Sequence, residues 1–126
     1  MLYESDFLAW LRKNVQLKAR FGSKIYWQLA PQRTDGSFLV LQGINTKGHR
    51  EIDAASPRMQ LDCFSSDASG VVELAEAVVQ ELFGRSFISG STAFSCIVAE
   101  RAMVIPVEDR SFKVPVDVRF SCRRNA

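Results

Sequence analysis

Apolar and polar positions alternate most cleanly near the end of the chain. Phe112, Val114, Val116, Val118, Phe120 and Cys122 fall on one side, and Lys113, Pro115, Asp117, Arg119, Ser121 and Arg123 on the other. A period of two marks a strand with one buried face, and it predicts a strand over residues 112–122. Pro115 has no N–H to give to a ladder, so this strand should be an edge or carry a bulge there. The same period appears at Met59, Leu61 and Cys63, set against Arg58, Gln60 and Asp62. The period then changes. Asp67 stands where a helix N-cap belongs, its carboxylate able to accept from the open amides of a first turn. Leu74, Ala75, Val78, Val79 and Leu82 follow at helical spacing. Gly84 should stop this helix, with Arg85 favourably placed near its C-terminal end.

The rest of the chain completes an architecture. A helix is predicted over residues 6–17, capped by Ser5, with Phe7, Leu8, Trp10, Leu11 and Val15 on one face. Residues 25–27 begin a short strand. Residues 38–44 form a nearly continuous apolar run, the pattern of a strand covered on both faces. Residues 45–57 hold only Ile52 as a large apolar residue, and a connection this long is usually functional or mobile. Order in this stretch is expected only on assembly, because it has little apolar surface to offset the entropy of fixing it. Residues 86–92 read as a polar connection, 94–101 as a strand and 107–110 as a charged turn. The order α-β-β-β-α-β-β gives an α+β fold, a mostly antiparallel sheet of about five strands with two helices packed on one face.

Composition narrows the function. The 126 residues suit one domain spanning 1–126, with 47% apolar and 24% charged residues and a net charge of +2. That charge alone does not argue for nucleic acid. No apolar run approaches the roughly 20 residues of a membrane span. The N-terminus carries Glu4 and Asp6 in place of a basic-then-apolar leader, so the chain reads as soluble and intracellular. Cys63, Cys96 and Cys122 are odd in number, widely spaced and on apolar alternations. They read as reduced core cysteines rather than a disulfide framework.

Candidate chemistry is sparse. His49 is the one histidine and lies beside Glu51 and Asp53. A metal site needs three or four converging ligands and a general base needs a positioned partner, so neither metal nor catalytic residues are assigned. The glycines are dispersed, and no phosphate-cradling loop or cofactor motif appears. Two charged surfaces remain. Glu73, Glu76, Gln80 and Glu81 line the polar side of the second predicted helix. Lys113, Arg119 and Arg123, with Arg124, make the last strand basic. Nucleic-acid binding would interleave aromatics with such cations, whereas Phe112 and Phe120 fall on the opposite alternation. Lys47, His49, Arg50 and Glu51 in the long connection join Glu73, Glu76, Lys113, Arg119 and Arg123 as candidate contact residues.

The layout resembles the tail completion, or tail terminator, proteins of long-tailed bacteriophages and prophages. The matching features are the short N-terminal helix, I-Y-x-x-x-A-P-Q at residues 25–32, and the apolar strand at 38–44. A polar stretch ending before R-M-Q-L-D-C-F at 58–64 follows, then L-A-E-A-V at 74–78 and V-P-V-D-V-R-F at 114–120. Phe64 stands where the family commonly has tryptophan, and Ser37-Phe38 where it commonly has P-Y. The resemblance spans almost the whole chain. It implies a structural protein without cofactor that forms a ring, often a hexamer, on the head-proximal end of the tail tube. Such a ring ends tube growth and joins tail to head. Its expected partners are copies of itself, the tail tube protein and a head-completion or connector protein, met in the host cytoplasm during assembly and retained in the virion tail. A small nucleic-acid-binding module using the basic last strand is the alternative reading.

Overall fold

The computed structural model describes residues 3–31, 36–49, 54–107 and 111–124, with the backbone alone described for residues 45–49 and 54. Three helices, α1 (Tyr3–Lys13), α2 (Val15–Phe21) and α3 (Ala68–Leu82), pack against a seven-stranded sheet. Its strands are β1 (Ile25–Trp27), β2 (Phe38–His49), β3 (Ala54–Ser65), β4 (Ser86–Ser89), β5 (Thr92–Arg101), β6 (Ile105–Val107) and β7 (Ser111–Arg124). The sheet runs β1-β2-β3-β7-β5-β4, with β6 also paired to β7. The α+β class agrees with the sequence reading. The differences are two further short strands, a third helix, and a parallel β1–β2 pair at one edge.

The extra helix comes from Asn14. Its backbone leaves the helical region (φ −68, ψ 123), and its Oδ1 accepts from the Leu17 amide at 3.0 Å, capping α2. Asparagine competes with the backbone in this way, so the helix expected over residues 6–17 breaks in two. Asn14 Nδ2 also donates to Glu81 Oε1 of α3 at 2.8 Å, tying the two helical units together.

All three helices cover one face. Phe7, Leu8 and Leu11 of α1, Leu17 and Phe21 of α2, and Val71, Ala75, Val78 and Leu82 of α3 join one hydrophobic cluster. The sheet supplies Leu39, Leu41, Met59, Leu61, Cys63, Val114, Val116, Val118, Phe120 and Cys122 to the same cluster. Phe7 lies 4.8 Å from Phe120, ring to ring, and Trp10 stacks on Phe87 at 4.1 Å. Asp67 caps α3 as expected, its Oδ2 accepting from Gly70 N at 3.0 Å. Asp6 is buried on α1, and its carboxylate accepts from Thr92 Oγ1 at 2.6 Å. Its carbonyl accepts from Ser89 Oγ at 2.6 Å. A Cβ at Gly90, where φ is +60, would sit 2.6 Å from Asp6 Oδ1, so the β4–β5 turn needs glycine on both counts.

Three expectations are corrected. Residues 45–57 do not form one long loop: β2 continues to His49 and β3 resumes at Ala54, paired from Asn45↔Arg58 to His49↔Ala54. Ladder hydrogen bonds order a segment whose side chains are polar, which a count of apolar residues does not register. The strand holding Pro115 is central, between β3 and β5, not an edge. The proline is tolerated because its neighbour is interrupted: β5 ends at Arg101, β6 begins at Ile105, and Pro115 contributes its carbonyl to the Ala102 amide at 2.8 Å. Finally, burial of β2 on both faces is limited to its first half: Leu39 and Leu41 enter the core and Val40, on the opposite face with Asp62, is buried too, whereas Gly43 and Ile44 are exposed.

Candidate functional site

Among the described residues no helix lies over the second face of the sheet, and the register assigns its residues in rows. One row holds Ile105, Lys113, Phe64 and Phe38, and the next Pro115, Asp62, Val40 and Tyr26. Glu100, Asp117, Gln60 and Gln42 follow, then Val98, Arg119 and Arg58. Beyond them come Ser86, Ser95 and Ser121, and finally Ile88, Ala93 and Arg123. The face is therefore aromatic at one end and flat, small and basic at the other.

The aromatic end is internally closed. Phe38 and Phe64 stack at 4.4 Å with 6° between planes, and Tyr26 meets Phe38 edge-on at 6.5 Å. Asp62 is 1% exposed, accepts from Gln60 Nε2 at 2.7 Å and has Lys113 Nζ at 3.7 Å. An enclosed carboxylate needs such partners, so the Lys113 ammonium expected to meet another subunit is engaged within its own.

The basic end is built differently. Arg58 donates from Nε and Nη2 to the two carboxylate oxygens of Asp117 at 3.0 and 3.3 Å, and Arg119 Nε lies 4.0 Å from Asp117 Oδ2. That hydrogen bond first, and the Asp117 charge second, raise the Arg58 pKa above its ordinary value. Among the described residues three cations thus share the open half of this face, Arg58, Arg119 and Arg123, with one carboxylate between two of them. Sequence reasoning assigned Arg119 and Arg123 but passed over Arg58. Its signal was present, since Arg58 belongs to the polar alternation of its strand, but only the β3–β7 register sets it beside Arg119.

The acidic candidates lie on the other side of the molecule. Helix α3 buries Val71, Ala75, Val78 and Leu82 against the sheet, so Glu73, Glu76 and Gln80 face away from it. Glu76 Oε1 pairs with Arg101 Nη2 at 3.3 Å and remains 56% exposed. Glu81 is half-buried, holding Asn14 and, at 3.1 Å, Arg85. The structure therefore places the acidic candidates Glu73 and Glu76 and the basic candidates Arg119 and Arg123 on opposite sides of the subunit. Lys47 and His49 belong to β2 by backbone, but their side chains are outside the described residues, as are Arg50 and Glu51 altogether.

The chemistry of these groups is that of contact. Among the described residues no group of histidine, cysteine, aspartate or glutamate is arranged to hold a metal, and no helix is long and apolar enough to cross a membrane. All three cysteines are free and buried. Burial raises the Cys63 thiol pKa, with the Asp62 charge adding to it. Burial pushes Cys96 up to about 11 and Cys122 up to about 12, the latter partly offset by Arg124.

The chain matches a family model described as tail completion protein gp17, over residues 6–122. The chain belongs to that family. The tail completion proteins are structural components of the phage tail, as the sequence resemblance implied. Among solved structures, a chain of the virion of a native gene transfer agent particle superposes with a TM-score of 0.70. It is 16% identical, and the match covers 95% of this chain and 93% of that one. A second solved chain has a TM-score of 0.62 and 15% identity, over 98% and 92% of the two chains. At such identities these likenesses show a shared fold. A search of curated proteins finds no match.

Proposed function

We propose that this tail completion protein is the terminator of its tail. Copies of it form a closed ring on the head-proximal end of the tail tube, end tube growth and present the surface to which the head is joined. The observation that carries this reading is the family match over residues 6–122. A ring needs a heterologous contact, one patch meeting a different patch on the next copy, with a rotation that closes. Glu73 and Glu76 on α3, and Arg119 and Arg123 on the far side of the sheet, are unlike patches on opposite sides. Lys47, His49, Arg50 and Glu51 are further proposed contacts, consolidating the ring or gripping the tail tube, and Lys113 is a further proposed contact between copies. The partners are other copies of this chain, the tail tube protein and a head-completion or connector protein. Assembly takes place in the host cytoplasm and the product stays in the virion tail. That a structural neighbour is a component of a gene transfer agent virion accords with a place in a particle.

Native mass spectrometry over a concentration series, without and with purified tail tubes, tests the reading. One closed oligomer, bound at a single tube end and required before heads attach, is expected. Tubes that stop growing and join heads in its absence would overturn it. The second reading, a nucleic-acid module, draws on Arg58, Arg119 and Arg123 of the open face, but Asp117 offsets part of that charge. A DNA shift that weakens steeply with salt is the result that would favour it.

A further inference from the structure

Two irregularities of the sheet fall in one line. The β2–β3 register shifts between Gly43 and Asn45, and the β5–β7 register between Cys96 and Val98, so Ile44 and Ile97 are bulge residues. Asn45 pairs with Arg58, Arg58 with Arg119, and Arg119 with Val98. Both bulges therefore flank the same pair of arginines, across four adjacent strands. A bulge breaks alternation and re-aims a side chain. Here each leaves an isoleucine in water, Ile44 46% exposed and Ile97 59% exposed, on the side without helices. Two bulges in line with an apolar residue at each end and two guanidiniums between form a transverse seat.

The subunit also carries a ridge that matches it. Glu73, Glu76, Gln80 and Phe83 follow the spacing of one exposed helix stripe. Phe83, which closes α3, is 65% exposed. From Glu73 to Phe83 the ridge spans about 15 Å at 1.5 Å per residue. From Ile44 to Ile97 the seat spans three inter-strand gaps, about 14 Å. The ridge carries two carboxylates and an aromatic end, the seat two guanidiniums around one carboxylate and two apolar ends. The lengths agree, the charges are opposite, and the aromatic end of the ridge matches one of the two apolar ends of the seat.

Resting on the ring reading, we infer that the α3 ridge of one copy lies across the bulge line of the next. Phe83 packs on one of the exposed isoleucines and Glu76 faces the Arg58–Arg119 pair. The contact is head-to-tail because ridge and seat occupy opposite sides of one subunit. Charge sets register and speeds encounter, while the isoleucine–phenylalanine contacts supply the affinity.

The experiment uses two full-length chains. One has a disabled seat, Ile97→Ser with Arg119→Glu, and the other a disabled ridge, Phe83→Ser with Glu76→Arg. All four positions are exposed, and circular dichroism melts are to check that both chains fold. Each alone is expected to remain monomeric at concentrations at least about tenfold above those at which the unaltered chain assembles. Mixed, they retain one intact ridge and one intact seat and are expected to form a heterodimer and nothing larger. If either chain alone still forms the unaltered ring, or if the mixture stays monomeric, this contact is wrong and the ring reading stands. If the unaltered chain forms no closed oligomer, with or without tail tubes, the ring reading fails and the contact with it. Should an altered pair fold poorly, Arg119→Glu and Glu76→Arg used singly and then combined in one chain decide the matter. Each single change is expected to weaken assembly about tenfold and the combination to restore it, and a combination no better than either single change overturns the pairing.

Discussion

The two faces of this sheet are made by the same strands and obey different rules. On the helix-covered face Val114, Val116, Val118, Phe120 and Cys122 of β7 are all buried, and each is fixed by what it touches. On the open face the residues between them, Lys113, Pro115, Asp117, Arg119 and Ser121, are partly or fully exposed, and Lys113, Asp117 and Arg119 are held by charge pairs. The first face determines that the chain folds. The second has latitude, and where it departs from regular alternation, at Ile44 and Ile97, it does so with no gain to its own core. Departures of that kind are expected where a surface is used.

The contrast is broken most severely from the covered side. Phe7→Ala removes a fully buried ring that meets Trp10, Phe87, Phe94 and Phe120. It should cost about 3–5 kcal/mol in urea unfolding, and Leu61→Ala or Val78→Ala about 2–4 kcal/mol. Asp6→Ala should cost about 1–3 kcal/mol, because the buried Thr92 hydroxyl loses its acceptor. A milder effect is expected from pH. The Cys96 and Cys122 thiols have raised pKa values in the folded chain, so they favour folding fully below the ordinary thiol value of about 8.5. Their contribution is lost as pH rises toward about 11 for Cys96 and about 12 for Cys122. The urea midpoint should therefore fall above about pH 8.5, with a shallower fall in Cys96→Ala. At neutral pH all three thiols should react slowly with alkylating reagents. The smallest effects belong to the open side, where Arg123→Ala and Glu73→Ala should each stay within about 0.5 kcal/mol.

Legibility in the sequence followed the same division. The period of two in β7 and at Met59, Leu61 and Cys63, the cap at Asp67, and the apolar stripe of α3 were all readable because burial enforces periodicity. The break at Asn14 was not, since it rests on one side chain bonding backwards to the chain and across to Glu81. Strands β4 and β6 have four and three residues, too few to show a period. Residues 45–49 and 54–57 misled because composition says nothing of the ladder that holds them; slow amide exchange within Thr46–Gly48 would confirm that ladder. On the open face the charged members of β7 were visible one by one. Their grouping with Arg58, and the alignment of the two bulges, depend on strand register, which no local pattern encodes.

Cysteine cross-linking tests the head-to-tail account most directly. Phe83→Cys is combined in one chain with Ile97→Cys, and separately with Ile44→Cys, and the assembled protein is treated with a short thiol cross-linker. The three native cysteines are buried and should stay out of the reaction. The account predicts that one of the two combinations gives a ladder of covalent oligomers ending at a single largest species, the closed ring. Chains that remain monomeric in both combinations while the ring is intact, or that stop at dimers, would contradict it.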